Sequence, residues 1–244
     1  MLGDGCLSLV YGRKKYVSIT GSSKDDFPFF NEVISPILKE FRGKDTNIKF
    51  RKSAKAIDFN FVDHSLFDLL VRHQFPIGKK GNSLLIPQAL CREDLIRLVI
   101  QGFFATDGSL VITKNVNQSY PRLELHTISE SVLRQVYDYL LTLGMHGGFY
   151  IQKSKPFFKN TQQMYRFQFN GVDNLLVFQE KIGFVNSKYY QKFLHFLDYH
   201  KKCFELMKHV RSNSSEMKKL RIPLNEAFVK NMALGRIELP TSAL

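Results

Sequence analysis

The stretch Ile100-Gln101-Gly102-Phe103-Phe104-Ala105-Thr106-Asp107-Gly108 is an apolar segment that closes on an aspartate and a glycine. Upstream of it, Glu93 and Asp94 would place negative charge in a first helical turn, where the helix dipole favours it. Apolar residues then recur at helical spacing, and glycine is a common helix terminator. The pattern predicts a helix from about Glu93 that presents the carboxylate of Asp107 at its end. Gly102, which has no side chain, would let a second helix approach closely.

An Asp-Gly pair also opens the chain, because Asp4-Gly5 lies 103 residues before Asp107-Gly108. After each pair come two alternating runs typical of strands, a helical run, two more strands and closing helices. Strands are predicted near 7–10, 16–20, 47–52, 57–62, 110–114, 122–126, 149–153 and 165–170, and helices near 26–41, 65–73, 130–143, 174–181 and 188–200. A period of about 100 residues is too long for a solenoid. The sequence therefore predicts a tandem duplication, with units at 1–92 and 93–200 and a basic extension over 201–244.

The composition is that of a folded, basic protein. Its 244 residues include 35 Lys and Arg against 22 Asp and Glu, for a net charge of +13, and 44% are hydrophobic. No apolar run reaches the length of about 18 residues that a membrane span needs, and the N-terminus does not resemble a signal peptide. The three cysteines are scattered, which favours a reducing compartment: the cytoplasm, or an organellar matrix if the host is eukaryotic. Such a chain favours a polyanionic partner, most often nucleic acid.

Alternation along the predicted strands separates an apolar face from a face of charged and amide side chains. Those polar side chains are of the types that read base edges and contact phosphates. An antiparallel sheet with one solvated face explains any single strand equally well. The recurrence of Arg with Gln or Asn in both units of a basic protein favours nucleic-acid contact. The predicted DNA-binding residues are Lys49, Arg51, Asp58, Asn60, Arg122, Glu124, His126, Gln152, Arg166, Gln168 and Asn170.

The two Asp-Gly pairs also predict a metal centre. If a two-fold axis relates the units, their motif helices pack at that axis, and Asp4 and Asp107 project side by side. Adjacent carboxylates repel each other, so such a site favours divalent cations. A single Asp-Gly is usually a turn, but two copies that open the same pattern favour a function. Paired carboxylates beside a basic, strand-lined groove suit metal-assisted phosphodiester hydrolysis.

The segment from Ile100 to Gly108 resembles the motif of the LAGLIDADG homing endonuclease family in its single-chain, two-repeat form. Gly102, Asp107 and Gly108 are the identities, and the resemblance covers about residues 1–200. It implies an α+β fold, a duplicated α-β-β-α-β-β-α unit whose two four-stranded antiparallel sheets form a pseudo-symmetric saddle over DNA. It also implies a site-specific endonuclease that makes a staggered double-strand break in a long, nearly asymmetric site. Such a protein would act as a monomer encoded by a mobile intron.

The same resemblance implies the roles of individual residues. Asp4 and Asp107 would be the catalytic ligands of Mg²⁺ or another divalent cation, and the backbone at Gly3 and Thr106 would also contact the metal. The family uses peripheral polar residues, often including a lysine, to position water. Lys52 and Lys153 occupy equivalent positions in the two units and are the candidates, with phosphate contact or mere solubility as the alternative.

The first motif departs from the family pattern, since only Met1 to Gly5 matches its last five positions. Either the start codon is assigned too late, or the gene is decaying and the product is inactive. We expect the chain as given to cleave DNA poorly, because Asp4 lacks its supporting helix. An alternative function is that of a maturase or impaired nucleic-acid-binding protein that assists splicing of an intron RNA. A transcription regulator on the same fold is a more distant alternative.

Overall fold

The computed structural model describes residues 1–51, 54–115, 118–152 and 163–210. Lys52 and Lys153 lie outside the described residues, as does the extension from residue 211 onward. No helix in the described ranges is long and apolar enough to cross a membrane.

The first unit begins directly with a hairpin and closes with a helix. Its elements are β1 (Gly5–Val10), β2 (Lys14–Ser22), α1 (Phe27–Phe29), a π-helical turn (Phe30–Ile34), α2 (Ser35–Arg42), β3 (Lys49–Arg51), β4 (Ala56–Val62) and α3 (His64–Arg72). The segments α1, the π-helical turn and α2 are continuous, so they form the single helix that the sequence predicts near 26–41. Gly43 ends that helix in the left-handed region, with φ of 67°.

The second unit repeats this order of elements, with one helix added before the first strand and another after the closing helix. After a 3₁₀ turn (Gln88–Leu90) come α4 (Glu93–Asp107), β5 (Gly108–Asn115), β6 (Gln118–Thr127), α5 (Glu130–Thr142), β7 (Gly147–Gln152), β8 (Met164–Asn170), α6 (Val172–Lys181) and α7 (Ser187–Val210). The helix α4 carries the motif and ends at Asp107, as predicted. The helix α7 continues ten residues beyond its predicted end at His200.

Both units build a four-stranded antiparallel sheet of the same topology. The strand orders are β1-β2-β4-β3 and β5-β6-β8-β7. Ser18 lies opposite Asn60 in the first sheet, and Glu124 lies opposite Gln168 in the second. The equal order confirms the predicted duplication and the α+β class.

One face of each sheet packs against helices and forms the core. Leu7, Val17, Ile57 and Phe59 of the first sheet are fully buried. Their counterparts in the second sheet are also buried, at Leu110, Leu123, Leu125, Phe167 and Phe169. This alternation follows from the pleat, because successive side chains of a strand point to opposite faces. The predicted division of the strands into an apolar and a polar face is confirmed.

Phe27, the first residue of α1, does not pack in the core with Phe29 and Phe30. Phe27 is exposed and lies 5.6 Å, between ring centroids, from the exposed Phe50. Phe50 belongs to β3, which is the short edge strand of its sheet. The two rings therefore contact each other at the edge of the sheet.

Candidate metal centre and nucleic-acid interface

The two motif segments meet where the units join. Asp107 is the last residue of α4, and Asp4 stands just before β1, fixed by the bond from the Thr20 amide to its carbonyl. Gly3 is buried against the other motif, because a Cβ placed on it would overlap Oδ2 of Asp107 and Oγ1 of Thr106. The structure therefore brings Asp4, Gly3, Thr106 and Asp107 together, as the duplication predicts.

The environment disfavours the charged forms of both aspartates. Burial raises the pKa of Asp107 above its ordinary value, opposed by a hydrogen bond from the Thr106 hydroxyl, whose Oγ1 lies 2.7 Å from Oδ2. Partial burial and the charge of Asp107 raise the pKa of Asp4 to about 6, although its side chain still reaches solvent. Two carboxylates whose anionic forms are destabilised in this way are stabilised by a cation.

Two lysines lie beside the aspartates. Lys80 comes from the connection between the units, and its Nζ donates to the carbonyl of Leu2 at 2.9 Å. Burial lowers the pKa of Lys80, while the charges of Asp107 and Asp4 oppose that shift. Lys188 comes from the first turn of α7 and donates to Oδ1 of Asp26 at 2.7 Å. Despite its partial burial, this bond holds the pKa of Lys188 above its ordinary value.

The start of α7 also holds the backbone of the second motif. Tyr189 donates its hydroxyl proton to the carbonyl of Gly108, which follows Asp107. Asn186, just before the helix, donates to the carbonyl of Ala105 at 2.9 Å. Lys188 lies in the same turn and contacts Asp26 of the first unit. The start of α7 therefore contacts residues near each of the two aspartates.

The donor set fits a divalent cation that keeps part of its water shell. Asp4 and Asp107 offer two carboxylates, and Thr106 offers a hydroxyl beside them. In the described part of the chain, no group of three or more His, Cys, Asp or Glu side chains could hold a metal ion. Mg²⁺ is commonly bound by one or two carboxylates together with water and substrate phosphate, so two aspartates suffice for it.

The predicted DNA-binding residues of the first unit share the polar face of its sheet. Lys49 lies opposite Asp58 across β3 and β4, and Asn60 lies opposite Ser18. Asp58 is only 6% exposed and accepts a hydrogen bond from Nε of Arg51 at 2.6 Å. Lys49 and Asn60 are exposed. On this sheet Asp58 orients Arg51, while Lys49 and Asn60 present their side chains to solvent.

The polar face of the second sheet brings together all seven residues predicted there. By register these are Arg122, Glu124, His126, Gln152, Arg166, Gln168 and Asn170. Glu124 is only 5% exposed, forms an ion pair with Arg122, and lies 3.0 Å from Nε2 of His126. Gln168 donates to Oδ1 of Asn170 at 2.8 Å. Glu124 therefore holds its two basic neighbours in place, and its own carboxylate is largely covered.

The sequence reasoning missed four residues at these surfaces. In the sequence, Lys80 is recognisable only as part of a basic connection between the units. No sequence pattern marks Lys188, because its partner Asp26 lies 162 positions away. Tyr120 and Tyr150 lie exposed on the polar face of the second sheet, where the guanidinium of Arg166 lies 5.3 Å from the Tyr150 ring centre. The alternation of these two tyrosines with polar residues along their strands is the sequence pattern that could have identified them.

Residues 94–183 match the protein-family model described as the LAGLIDADG-like domain. A search of curated proteins found no match. Among solved structures, the homing endonuclease I-DmoI in complex with DNA and Mn aligns with a TM-score of 0.52 at 14% identity, over 75% of this chain and 90% of that chain. I-DmoI in complex with DNA and Ca aligns with a TM-score of 0.50 at 15% identity, over 74% and 83%. The family resemblance is confirmed by the match in the second unit, and the fold is that of these homing endonucleases.

Proposed function

We propose that this chain is a site-specific DNA endonuclease that hydrolyses phosphodiesters with a divalent cation, Mg²⁺ in the cell. The observation that carries the proposal is the direct contact of the two aspartate motifs, in a chain whose two sheets each carry a polar face. The match of residues 94–183 to the LAGLIDADG-like domain supports it, as does the DNA bound to the similar I-DmoI structures. The net charge of +13 suits a partner that is a polyanion.

The proposed mechanism assigns a separate task to each side chain of the centre. Asp4 and Asp107 hold the cation, which supplies Lewis-acid stabilisation and an activated water when bound. Thr106 orients the Asp107 carboxylate through its hydroxyl. The ammonium of Lys80, beside both aspartates, would offset negative charge that develops on the scissile phosphate. Lys80 takes over the peripheral role that the sequence assigned to Lys52 and Lys153.

The finer features of the proposal are those that the family resemblance implies. One unit faces each half of a long, nearly asymmetric site, so a monomer would place one aspartate near each scissile phosphate and leave a staggered break. An origin in a mobile intron, and a location in the cytoplasm or an organellar matrix, complete the proposal.

The test is cleavage of a selected target. DNA that binds the full chain is enriched from a random duplex library, cloned into a plasmid, and incubated with protein and Mg²⁺. We expect Asp107→Asn to reduce strand cleavage by at least about 100-fold while DNA binding is retained. If Asp107→Asn cleaves as fast as the unaltered chain, the metal centre is misassigned.

A second candidate function is a nucleic-acid-binding protein, such as a maturase, that does not cut. The observation that favours it is the exposure of the Asp4 side chain to solvent. A self-splicing assay on the intron RNA that contains the coding sequence separates the two functions. Faster splicing with no cleavage of the intronless allele would favour the maturase.

A further inference from the structure

The connection between the units, residues 73–92, is attached to the first unit just before Lys80. Ile77 forms a bridge with Leu7 of β1, and the Gly78 amide donates to the carbonyl of Leu7 at 2.7 Å. Lys80 follows two residues later and lies beside both aspartates of the centre. The first unit therefore fixes the chain on one side of Lys80.

The second unit attaches the same connection on the other side of Lys80, through the hydroxyl of Ser129. This residue is fully buried, and its hydroxyl shares one proton between the carbonyls of Asn82, at 3.0 Å, and Leu84, at 2.8 Å. Asn82 follows Lys80 by two residues, so their Cα atoms are at most about 7 Å apart. The backbone of Lys80 is therefore fixed by both units, with Ser129 as the nearest attachment on the second.

Ser129 stands at a position where serine ordinarily has another task. It is the N-cap residue of α5, and an N-cap serine commonly accepts a hydrogen bond from an amide of the first helical turn. Asp63 does so at the start of α3, where it accepts from the Leu66 amide at 3.0 Å. Among the described residues, the Ser129 side chain makes no such cap bond. Its hydroxyl serves the connection instead of the helix.

A second side chain of α5 holds the connection farther along. The amide of Gln135 accepts from the backbone N–H of Ile86 at 2.8 Å and donates to the Ile86 carbonyl at 3.1 Å. Leu84 and Ile86 are buried, whereas Leu85 between them is 49% exposed. This alternation is that of an extended segment, so the connection lies on the second unit as a strand-like strap.

We propose that Ser129 is a positioning residue, which holds Asn82 and thereby keeps the ammonium of Lys80 beside the two aspartates. The proposal rests on the proposed function, in which Lys80 offsets charge on the scissile phosphate. A displacement of about 1 Å in a group that acts on the reacting atoms can lower a rate by about 100-fold. An attachment only two residues from Lys80 is close enough to control its position on that scale.

The first experiment follows the position of Lys80 without reference to cleavage. The full chain is treated with an amine-acylating reagent, and the labelling rate of each lysine is measured by mass spectrometry. In Ser129→Ala we expect Lys80 to be labelled about 5-fold faster or more, because a released connection exposes its half-buried ammonium. The exposed Lys39 serves as an internal reference and should keep its rate. Equal labelling rates of Lys80 in Ser129→Ala and the unaltered chain would overturn the proposal.

Two further variants accompany that measurement. Thr142→Ala is the matched control, because it removes a hydroxyl from α5 that donates to the Tyr139 carbonyl of the same helix, and it should leave the labelling of Lys80 unchanged. Gln135→Leu releases the connection at Ile86 without altering the start of α5, and it should speed the labelling by less than Ser129→Ala does. If Ser129→Ala does not fold, an unchanged labelling rate in Gln135→Leu would overturn the proposal.

Cleavage of the selected plasmid tests the consequence for the reaction. Ser129→Ala should lower the single-turnover rate by about 10-fold or more, while Kd for the DNA changes by less than about two-fold. In a Lys80→Met background the same change should lower the rate no further, because no ammonium remains to be positioned. Equal fold losses in both backgrounds would overturn the proposal. If the unaltered chain cleaves no selected DNA, the nuclease function fails, and the labelling rates still decide whether Ser129 positions Lys80.

Discussion

The contact between Gly3 and Asp107 joins the two units at the scale of single atoms. Alanine at position 3 has no room, because its Cβ would overlap the Asp107 carboxylate and the Thr106 hydroxyl. The carboxylate would have to turn away from the centre. We expect Gly3→Ala to reduce strand cleavage by about 100-fold or more, since small misplacements of reacting groups cost rates of that order.

The matched control for that substitution is Gly102→Ala, because its Cβ meets open space. It should leave cleavage unchanged and stabilise α4 by up to about 1 kcal/mol through helix propensity. The readouts are cleavage of the selected plasmid and the free energy of unfolding in urea. Cleavage by Gly3→Ala at the unaltered rate would show that Asp107 does not act from this position.

Asp4 makes the stability of the metal-free protein depend on pH. Its pKa of about 6 exceeds the ordinary 3.8, so the folded state binds the proton more tightly than the unfolded chain. Asp4 therefore contributes stability below pH 4 that is lost as pH rises through 6. Because Asp4 still reaches solvent, screening limits the effect to about 1 kcal/mol, or a few degrees in Tm.

The measurement compares Tm at pH 4.5 and pH 7.5 for the metal-free chain and for Asp4→Asn. The asparagine variant should lose less stability toward high pH, and the difference between the two chains is the contribution of Asp4. The affinity for the cation depends on pH in the opposite direction and should rise with pH, because a proton and a cation compete for the carboxylate. Identical pH profiles of the two chains would contradict the raised pKa.

Among the elements, α7 connects the units most directly at the centre. Its Lys188 pairs with Asp26 from the other unit, and Asp26 also accepts from the Ser22 amide at 2.9 Å. Lys188→Met would leave a half-buried carboxylate without its cation and next to Asp4. We expect a loss of about 1–3 kcal/mol in the free energy of unfolding, because a partly buried charge loses its partner.

A double-mutant cycle with Asp26→Asn isolates that pair, and the double variant should recover part of the loss. The control is Lys192→Met, one turn later on α7, whose Nζ contacts only the carbonyl of Leu110, at 3.2 Å, among the hydrogen bonds of the described residues. Lys192→Met should lower the free energy of unfolding by clearly less than Lys188→Met does. Additive effects of Lys188→Met and Asp26→Asn would contradict a coupling between the two side chains.

Local sequence predicts most of the fold, because strand alternation and helix periodicity are properties of neighbouring residues. The faces of both sheets and the end of α4 at Asp107 follow from such patterns. The pairings of Lys80 and Lys188 do not, since each joins segments far apart in the chain. The exposure of Phe27 follows from its position at a sheet edge, and strand order across a sheet is a tertiary property that alternation does not encode.

At the scale of the whole molecule, a net charge of +13 predicts binding that is dominated by phosphate neutralisation. If six to ten phosphates are contacted, affinity for the selected duplex should fall by about 10³–10⁵-fold between 50 and 200 mM salt. Arg166 lies on the polar face beside Tyr150. If it contacts a phosphate, Arg166→Gln should reduce the slope of log Kd against log salt by about 1.

The control for that slope is Lys39→Gln. Lys39 belongs to the helix α2 and not to the sheet, and it pairs with Asp45 near solvent. Its replacement lowers the net charge by the same amount but should leave the slope unchanged, because counterions are released only where a cation meets a phosphate. Equal decreases for Lys39→Gln and Arg166→Gln would mean that overall charge, and not the polar sheet face, governs binding.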